Sequence, residues 1–175
     1  MSLISAFEDR KDEIKSYIIL LEQIENALVA GRPLLSAGDG KSSYKISPAQ
    51  QKILYSSLYL QLYNLIESTV TKCISNIEQN IQMMDASSWN LLSSNIRKEL
   101  LRAIAKRHAS SSVDTRTNAM FDFLDSMFLP NSKINASIDR GEGGNWDDED
   151  IFDLAKRIGV RLVIPPELNA DVKKN

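Results

Sequence analysis

Arg102 and His108 stand six residues apart in a mid-chain segment rich in arginine and lysine. Those two side chains are what metal-free RNA cleavage could use. An imidazole can pass protons to and from a 2′-hydroxyl or a leaving oxygen, and a guanidinium can hold charge that gathers on a phosphate. The chain has one histidine, so any histidine chemistry runs through His108 or through a partner's copy of it. His108 also prolongs the apolar series Leu92, Ile96, Leu100, Ile104, and a histidine in that position is more often a half-buried packing or capping residue. On a regular helix a spacing of six points Arg102 and His108 in different directions.

A second pair of candidates lies earlier in the chain. Glu67 projects with Leu60, Tyr63 and Ile74 inside an apolar helical arc, and Asn64 lies one turn back on the edge of that arc. A carboxylate there needs a partner, because an unpaired buried charge is costly. It is either a structural ion pair with an Arg or Lys of another helix or a polar residue of a groove. Arg97, Lys98, Arg102, Lys106, Arg107 and Arg116 form a basic cluster that could hold phosphates. The same cluster also fits an ordinary solvated helix face.

Composition narrows the classes. The 175 residues suffice for one domain with a sizeable core, and 43% hydrophobic with 25% charged residues is the balance of an ordinary globular chain. A net charge of −2 gives no global signature for nucleic acid, which leaves a local basic cleft open. A single cysteine allows no intramolecular disulfide and fits a reducing cytoplasm. One histidine and one cysteine cannot build a His/Cys zinc cluster within one chain. No glycine-rich phosphate loop follows a strand, so no nucleotide cofactor is indicated. The apolar run Tyr17 to Leu21 is too short to span a membrane, and no secretory leader is visible.

The elements that must carry these residues read as helices. Apolar positions from Leu3 to Leu28 recur at helical spacing, and Gly31 and Pro33 stop them. Residues 31–46 read as a connection. Ser47-Pro48-Ala49-Gln50 is a strong helix start, with serine as cap, proline at the first position and glutamine closing a capping box. The helix it opens reaches Met84 with an apolar arc so broad that neighbours should wrap it on several sides, Cys73 among the buried residues. Asp85 to Ser88 offer a cap for a helix carrying Trp89 to His108. A short aromatic helix spans about Asn118 to Phe128, ended by Pro130, and suits a core or a dimer contact. Residues 131–146 read as a polar loop. Asp147 caps a last clear helix, with Asp148, Glu149 and Asp150 in its first turn, Lys156 and Arg157 in its last, and Gly159 after it. Glu167 to Asn175 could begin one more. The fold class is all-α: one helical domain over residues 1–175, built around a long central helix.

The order of these features resembles the HEPN superfamily, in particular the HEPN-like nuclease domains of bacteria and cyanobacteria. The resemblance rests on Phe7, Arg10, Glu13, Ile14 and Tyr17 in the first helix and on Leu62-Tyr63-Asn64-Leu65-Ile66-Glu67-Ser68 in the central one. It continues in Gly143-Gly144-Asn145-Trp146-Asp147 leading to Ile151 and Ile158-Gly159-Val160. It implies a helical bundle, usually a homodimer, acting as a metal-independent endoribonuclease in toxin–antitoxin or phage-defence systems. RNA would be the substrate and an antitoxin a possible partner. The family signature is Arg, four to six residues, then His, commonly opening Arg-Asn at the start of a late helix, with two copies facing across one cleft. Arg102 and His108 have a permitted spacing, but Ala103 replaces the usual polar residue and the pair sits mid-chain at a helix end. The signature belongs after the Gly-Asn helix, near Asp171 to Asn175. The expectation is therefore a domain whose sequence stops just before its catalytic motif, with Glu67 and Asn64 lining the cleft. The alternative is a non-catalytic helical module that binds a protein partner or RNA.

Overall fold

The structure is a computed structural model that describes residues 3–31, 35–36, 43–129, 131–140 and 146–163. It is all-α, with helices α1 (Leu3–Val29), α2 (Pro48–Met83), α3 (Ser94–Arg107), α4 (Val113–Phe128) and α5 (Asp148–Ile158). A 3₁₀ helix at Ala86–Leu91 precedes α3, and a two-residue antiparallel pair joins β1 (Leu35–Ser36) to β2 (Ser43–Tyr44). The chain groups into two compact units, Met1–Cys73 and Ile74–Asn175. No helix among the described residues is long and apolar enough to cross a membrane. The turn Gly143-Gly144-Asn145 and the helix expected from Glu167 lie outside the described residues.

In the first unit, α1 buries Ile14 and Leu21, two turns apart on one stripe. Gly31 takes φ 66°, the left-handed conformation that glycine adopts without strain, and its N–H donates to the Leu28 carbonyl. The capping box at the start of α2 is closed in both directions. The Ser47 N–H donates to Gln50 Oε1 at 2.8 Å, and the Gln50 N–H donates to Ser47 Oγ at 3.3 Å. Two tyrosines set α1 against α2: the Tyr17 hydroxyl donates to the Leu54 carbonyl, and the Tyr55 hydroxyl donates to Glu25. The bond to Glu25 raises the Tyr55 pKa above its ordinary value, because ionised Tyr55 would lose that donation and face the carboxylate.

The wrapping expected of α2 does not occur. Its buried residues are Ile74 and Ile81, near its end. Ile53, Tyr59, Leu60 and Ile66 stay exposed, Tyr59 by 72%, and Cys73 is exposed as well. The apolar arc is as broad as the sequence shows. Within this unit, α1 is the one other long helix among the described residues, and it can cover only one face.

The second unit holds a buried core of Ile81, Leu100, Ile134 and Ala136, with Ile77, Met84, Trp89, Leu92 and Ile96 packed against them. The single helix expected from Asp85 to His108 is broken. Leu92 is extended, and Ser93 caps a fresh start by accepting from the Ile96 N–H at 3.2 Å. Asp85 makes no cap bond and instead holds Lys133 at 2.6 Å. Likewise α4 begins earlier than Asn118, at Val113, because Ser112 accepts from the Thr115 N–H. The Trp89 and Phe123 rings meet edge to face, 5.3 Å apart.

Residues 131–140 are not a polar loop. They run extended along the end of α2, with Ile134, Ala136 and Ile138 buried and Lys133, Asn135, Ser137 and Asp139 turned the other way. The Ile134 N–H donates to the Met84 carbonyl, Gln82 donates to the Ala136 carbonyl, and the Ile138 N–H donates to Glu78. Helix α5 matches expectation at both ends. The Asp147 carboxylate accepts from the Asp150 N–H, and Gly159 closes the helix at φ 79°. The left-handed backbone is what favours glycine there, and a Cβ would also press on the Asn95 side chain, 2.8 Å from its Nδ2.

Ile134 is 1% exposed. Ile134→Ala is therefore expected to cost about 2–5 kcal/mol in urea denaturation, where a surface loop residue would cost within ~0.5 kcal/mol.

Candidate functional site

Helix α3 sorts its polar residues by face. Leu100, Ala103 and Glu99 point inward, whereas Lys98, Arg102 and Lys106 are exposed. Glu99, only 2% exposed, is the buried charged residue of the described core. Its Oε1 lies 3.5 Å from Arg157 Nη1 and its Oε2 lies 3.6 Å from Arg102 Nη1, both at ion-pair rather than hydrogen-bond separation. Arg157 also reaches Asp139, at 3.6 Å from Oδ2 and with an Nη2–H donated to the backbone carbonyl at 2.8 Å. Lys106 completes the network with a 3.1 Å bond to Asp139 Oδ1. Alongside it, Arg140 pairs with Glu78 at 2.9 Å.

His108 closes α3, donating its backbone N–H to the Ile104 carbonyl. It lines a cavity of about 330 Å³ over an apolar floor of Leu100, Ile104 and Phe123. Arg107, Lys133, Asp122, Ser126, Asn135 and Ser137 supply its polar groups. Arg102 is not among the lining residues, because its side chain is engaged with Glu99 on another side of the helix. The cations beside the histidine are Arg107 and Lys133. Arg107 and Ser137 also border a shallower depression shaped by Lys106, Asp139 and Arg140. Lys133 was missed in the sequence because it comes from the segment read as a loop.

The other two candidates belong to the first unit. Asn64 lines a groove of about 520 Å³ with Arg10, Glu13 and Asp9 of α1 and Ser68, Thr69 and Lys72 of α2. Arg10 is paired with Glu13 there. Glu67 is half-buried but does not line this groove, and no hydrogen bond or ion pair holds it among the described residues. Asn64 and Glu67 thus diverge.

A family model described as HEPN_MAE_28990-like HEPN matches residues 1–174. The chain belongs to this HEPN family. No curated protein and no solved structure matches it. The match covers both compact units, so the groove at Asn64 and the cavity at His108 both lie within the matched span. Among its described residues no three His, Cys, Asp or Glu side chains group to hold a metal ion. Around His108 this HEPN domain presents the cations Arg107 and Lys133, the acid Asp122 and the neutral Ser126, Asn135 and Ser137, with Lys133 also paired to Asp85.

The network separates its arginines by role. Removing Glu99 strips the half-buried guanidinium of Arg157 of one of its two carboxylates, whereas Arg102 is 55% exposed at its side chain. Glu99→Ala is expected to cost about 3–5 kcal/mol by chemical denaturation. Arg102→Ala is expected to cost under ~1 kcal/mol in the same measurement.

Proposed function

We propose that this chain is the HEPN domain of a metal-independent endoribonuclease, of the kind found in toxin–antitoxin and phage-defence systems, acting as a homodimer in a reducing cytoplasm. The carrying observation is the cavity that sets the single histidine beside Arg107 and Lys133 over an apolar floor. The family match is what makes RNA the substrate of choice.

The chemistry is a transesterification within the RNA strand. A ribose 2′-oxygen bonds to the adjacent phosphorus, the bond from phosphorus to the 5′-oxygen breaks, and a 2′,3′-cyclic phosphate forms. One proton leaves the 2′-hydroxyl and one arrives at the departing 5′-oxygen. His108, or its copy in the partner, is the imidazole that would carry the proton. Arg107 and Lys133 offset the charge on the phosphate's free oxygens.

A second reading has a specific observation in its favour. Arg102, the arginine with the family's permitted spacing from the histidine, is turned to Glu99 and does not line the His108 cavity. On that reading the domain binds RNA or a protein partner, such as an antitoxin, without cutting.

A labelled single-stranded RNA incubated with the chain and excess EDTA separates the two. The enzyme reading expects cleavage to cyclic-phosphate ends, reduced ~10²–10⁴-fold in His108→Ala. Intact RNA in the presence of well-folded protein, or full activity in His108→Ala, overturns it; RNA retention without cleavage then supports the binding reading.

A further inference from the structure

Asp122 does not suit a cavity that only holds phosphate. It lines the His108 cavity from α4, opposite in charge to Arg107 and Lys133. A carboxylate set beside a phosphate weakens binding, because like charges brought together repel. Asp122 has no evident structural duty either. It is exposed, and no hydrogen bond or ion pair holds it among the described residues, not even with Arg107 of the same cavity. Asn135, on the outer side of the extended segment, is equally without a partner among the described residues. Other polar groups of the cavity are already engaged. Lys133 holds Asp85, and the Ser126 hydroxyl donates to the Phe123 carbonyl at 2.6 Å. The cavity thus keeps free one side chain that only accepts hydrogen bonds and one amide that both donates and accepts.

These two groups stand over a firm apolar floor. Leu100 is 1% and Phe123 9% exposed, and Phe123 is held edge to face by Trp89. The volume of about 330 Å³ is at the small end of the ~300–1,000 Å³ typical of ligand pockets. An apolar floor with hydrogen-bonding groups at its rim is how single-stranded RNA is read. An unstacked base lies on the floor and its edge is hydrogen-bonded.

The free groups say which base fits. A carboxylate is satisfied by two donors side by side. Guanine alone among the four bases offers that pair, N1–H and N2–H, with the acceptor O6 next to them. Adenine and cytosine each place a ring-nitrogen acceptor beside their amino group, where it would meet the second carboxylate oxygen. The one N–H of uracil stands between two carbonyls, which a carboxylate repels. We infer that the His108 cavity selects guanine, Asp122 accepting from N1–H and N2–H while Asn135 Nδ2 donates to O6. The inference deepens the preceding reading and takes RNA as the ligand from it. Arg107 and Lys133 remain with the phosphate, and the bond that breaks is the one on the 3′ side of the guanosine.

The test measures binding of guanosine, inosine, adenosine, cytidine and uridine 3′-monophosphates to the full chain by isothermal titration. Guanosine 3′-monophosphate is expected to bind about 10–100-fold more tightly than the adenosine, cytidine and uridine forms. Inosine, which lacks the N2 amino group, should lose part of that advantage. Asp122→Asn should abolish the preference with helical circular dichroism unchanged, whereas Asp125→Asn, outside the cavity, should retain it. Equal binding of all five, binding of none, or a guanosine preference that survives Asp122→Asn overturns the inference. Mapping of cleaved ends in EDTA separates it from the enzyme reading. Cuts after every base, with equal nucleotide binding, overturn the guanine pocket and leave the ribonuclease standing. A guanosine preference lost in Asp122→Asn, in a chain that cuts no RNA, supports the pocket and overturns the ribonuclease.

Discussion

The second unit depends on one buried carboxylate. Glu99 has almost no contact with water, so its charge has to be offset inside the protein. Arg157 of α5 provides most of that offset, and Arg157 in turn draws in Asp139 of the extended segment. Three pieces of chain that are distant in sequence are thereby set to one another. Such a network adds little to net stability compared with apolar residues of the same size. What it does is penalise wrong arrangements, because any packing that separates Glu99 from Arg157 leaves the buried carboxylate with the exposed Arg102 alone. The neighbouring residue, Leu100, sits in the apolar core, so the inward face of α3 carries both the ionic anchor and the hydrophobic one.

That double anchoring fixes where the cations of α3 go. Once Glu99 and Leu100 are turned inward, Lys98, Arg102 and Lys106 must face outward, and Arg107 and His108 fall at the mouth of the cavity. The chain as a whole is slightly acidic, but α3 has five cationic residues and a single acid, and that acid is buried. Net charge therefore says little about the local field, since exposed charges act over about a Debye length, ~8–10 Å. Acidic residues concentrated elsewhere, such as Asp148, Glu149 and Asp150 at the start of α5, serve the helix macrodipole.

Much of the helical framework was legible because helix ends are decided locally. Ser47 with Gln50, Asp147 with Asp150 and the left-handed Gly159 each act within a few residues, and each behaves as the sequence indicates. The failures divide between burial, which distant residues decide, and local signals hidden under a stronger pattern. The arc of α2 gives the capacity for burial, but burial needs neighbours that local spacing does not reveal. The break at Leu92 depends on Ser93 capping α3, a signal masked by the continuous apolar series on either side of it. Residues 131–140 were read by composition, although Ile134, Ala136 and Ile138 already alternate as one buried strand face does. Glu67 was singled out as the buried carboxylate while Glu99 was overlooked. Yet Glu99 lies three residues after Ile96 and four before Ala103, on the inward face, and that spacing was open to reading.

The same contrast between local and distant determinants applies to α4. Its cap is local and its start is well defined, but its inner face is the wall of the His108 cavity. Phe123 against Trp89 anchors that wall at one point, while the opposite face has no partner among the described residues. Elements with few buried contacts open at a lower free energy than the core they border. A cavity wall held on one side only is thus the softer part of the site, and Asp122 and Ser126 move with it.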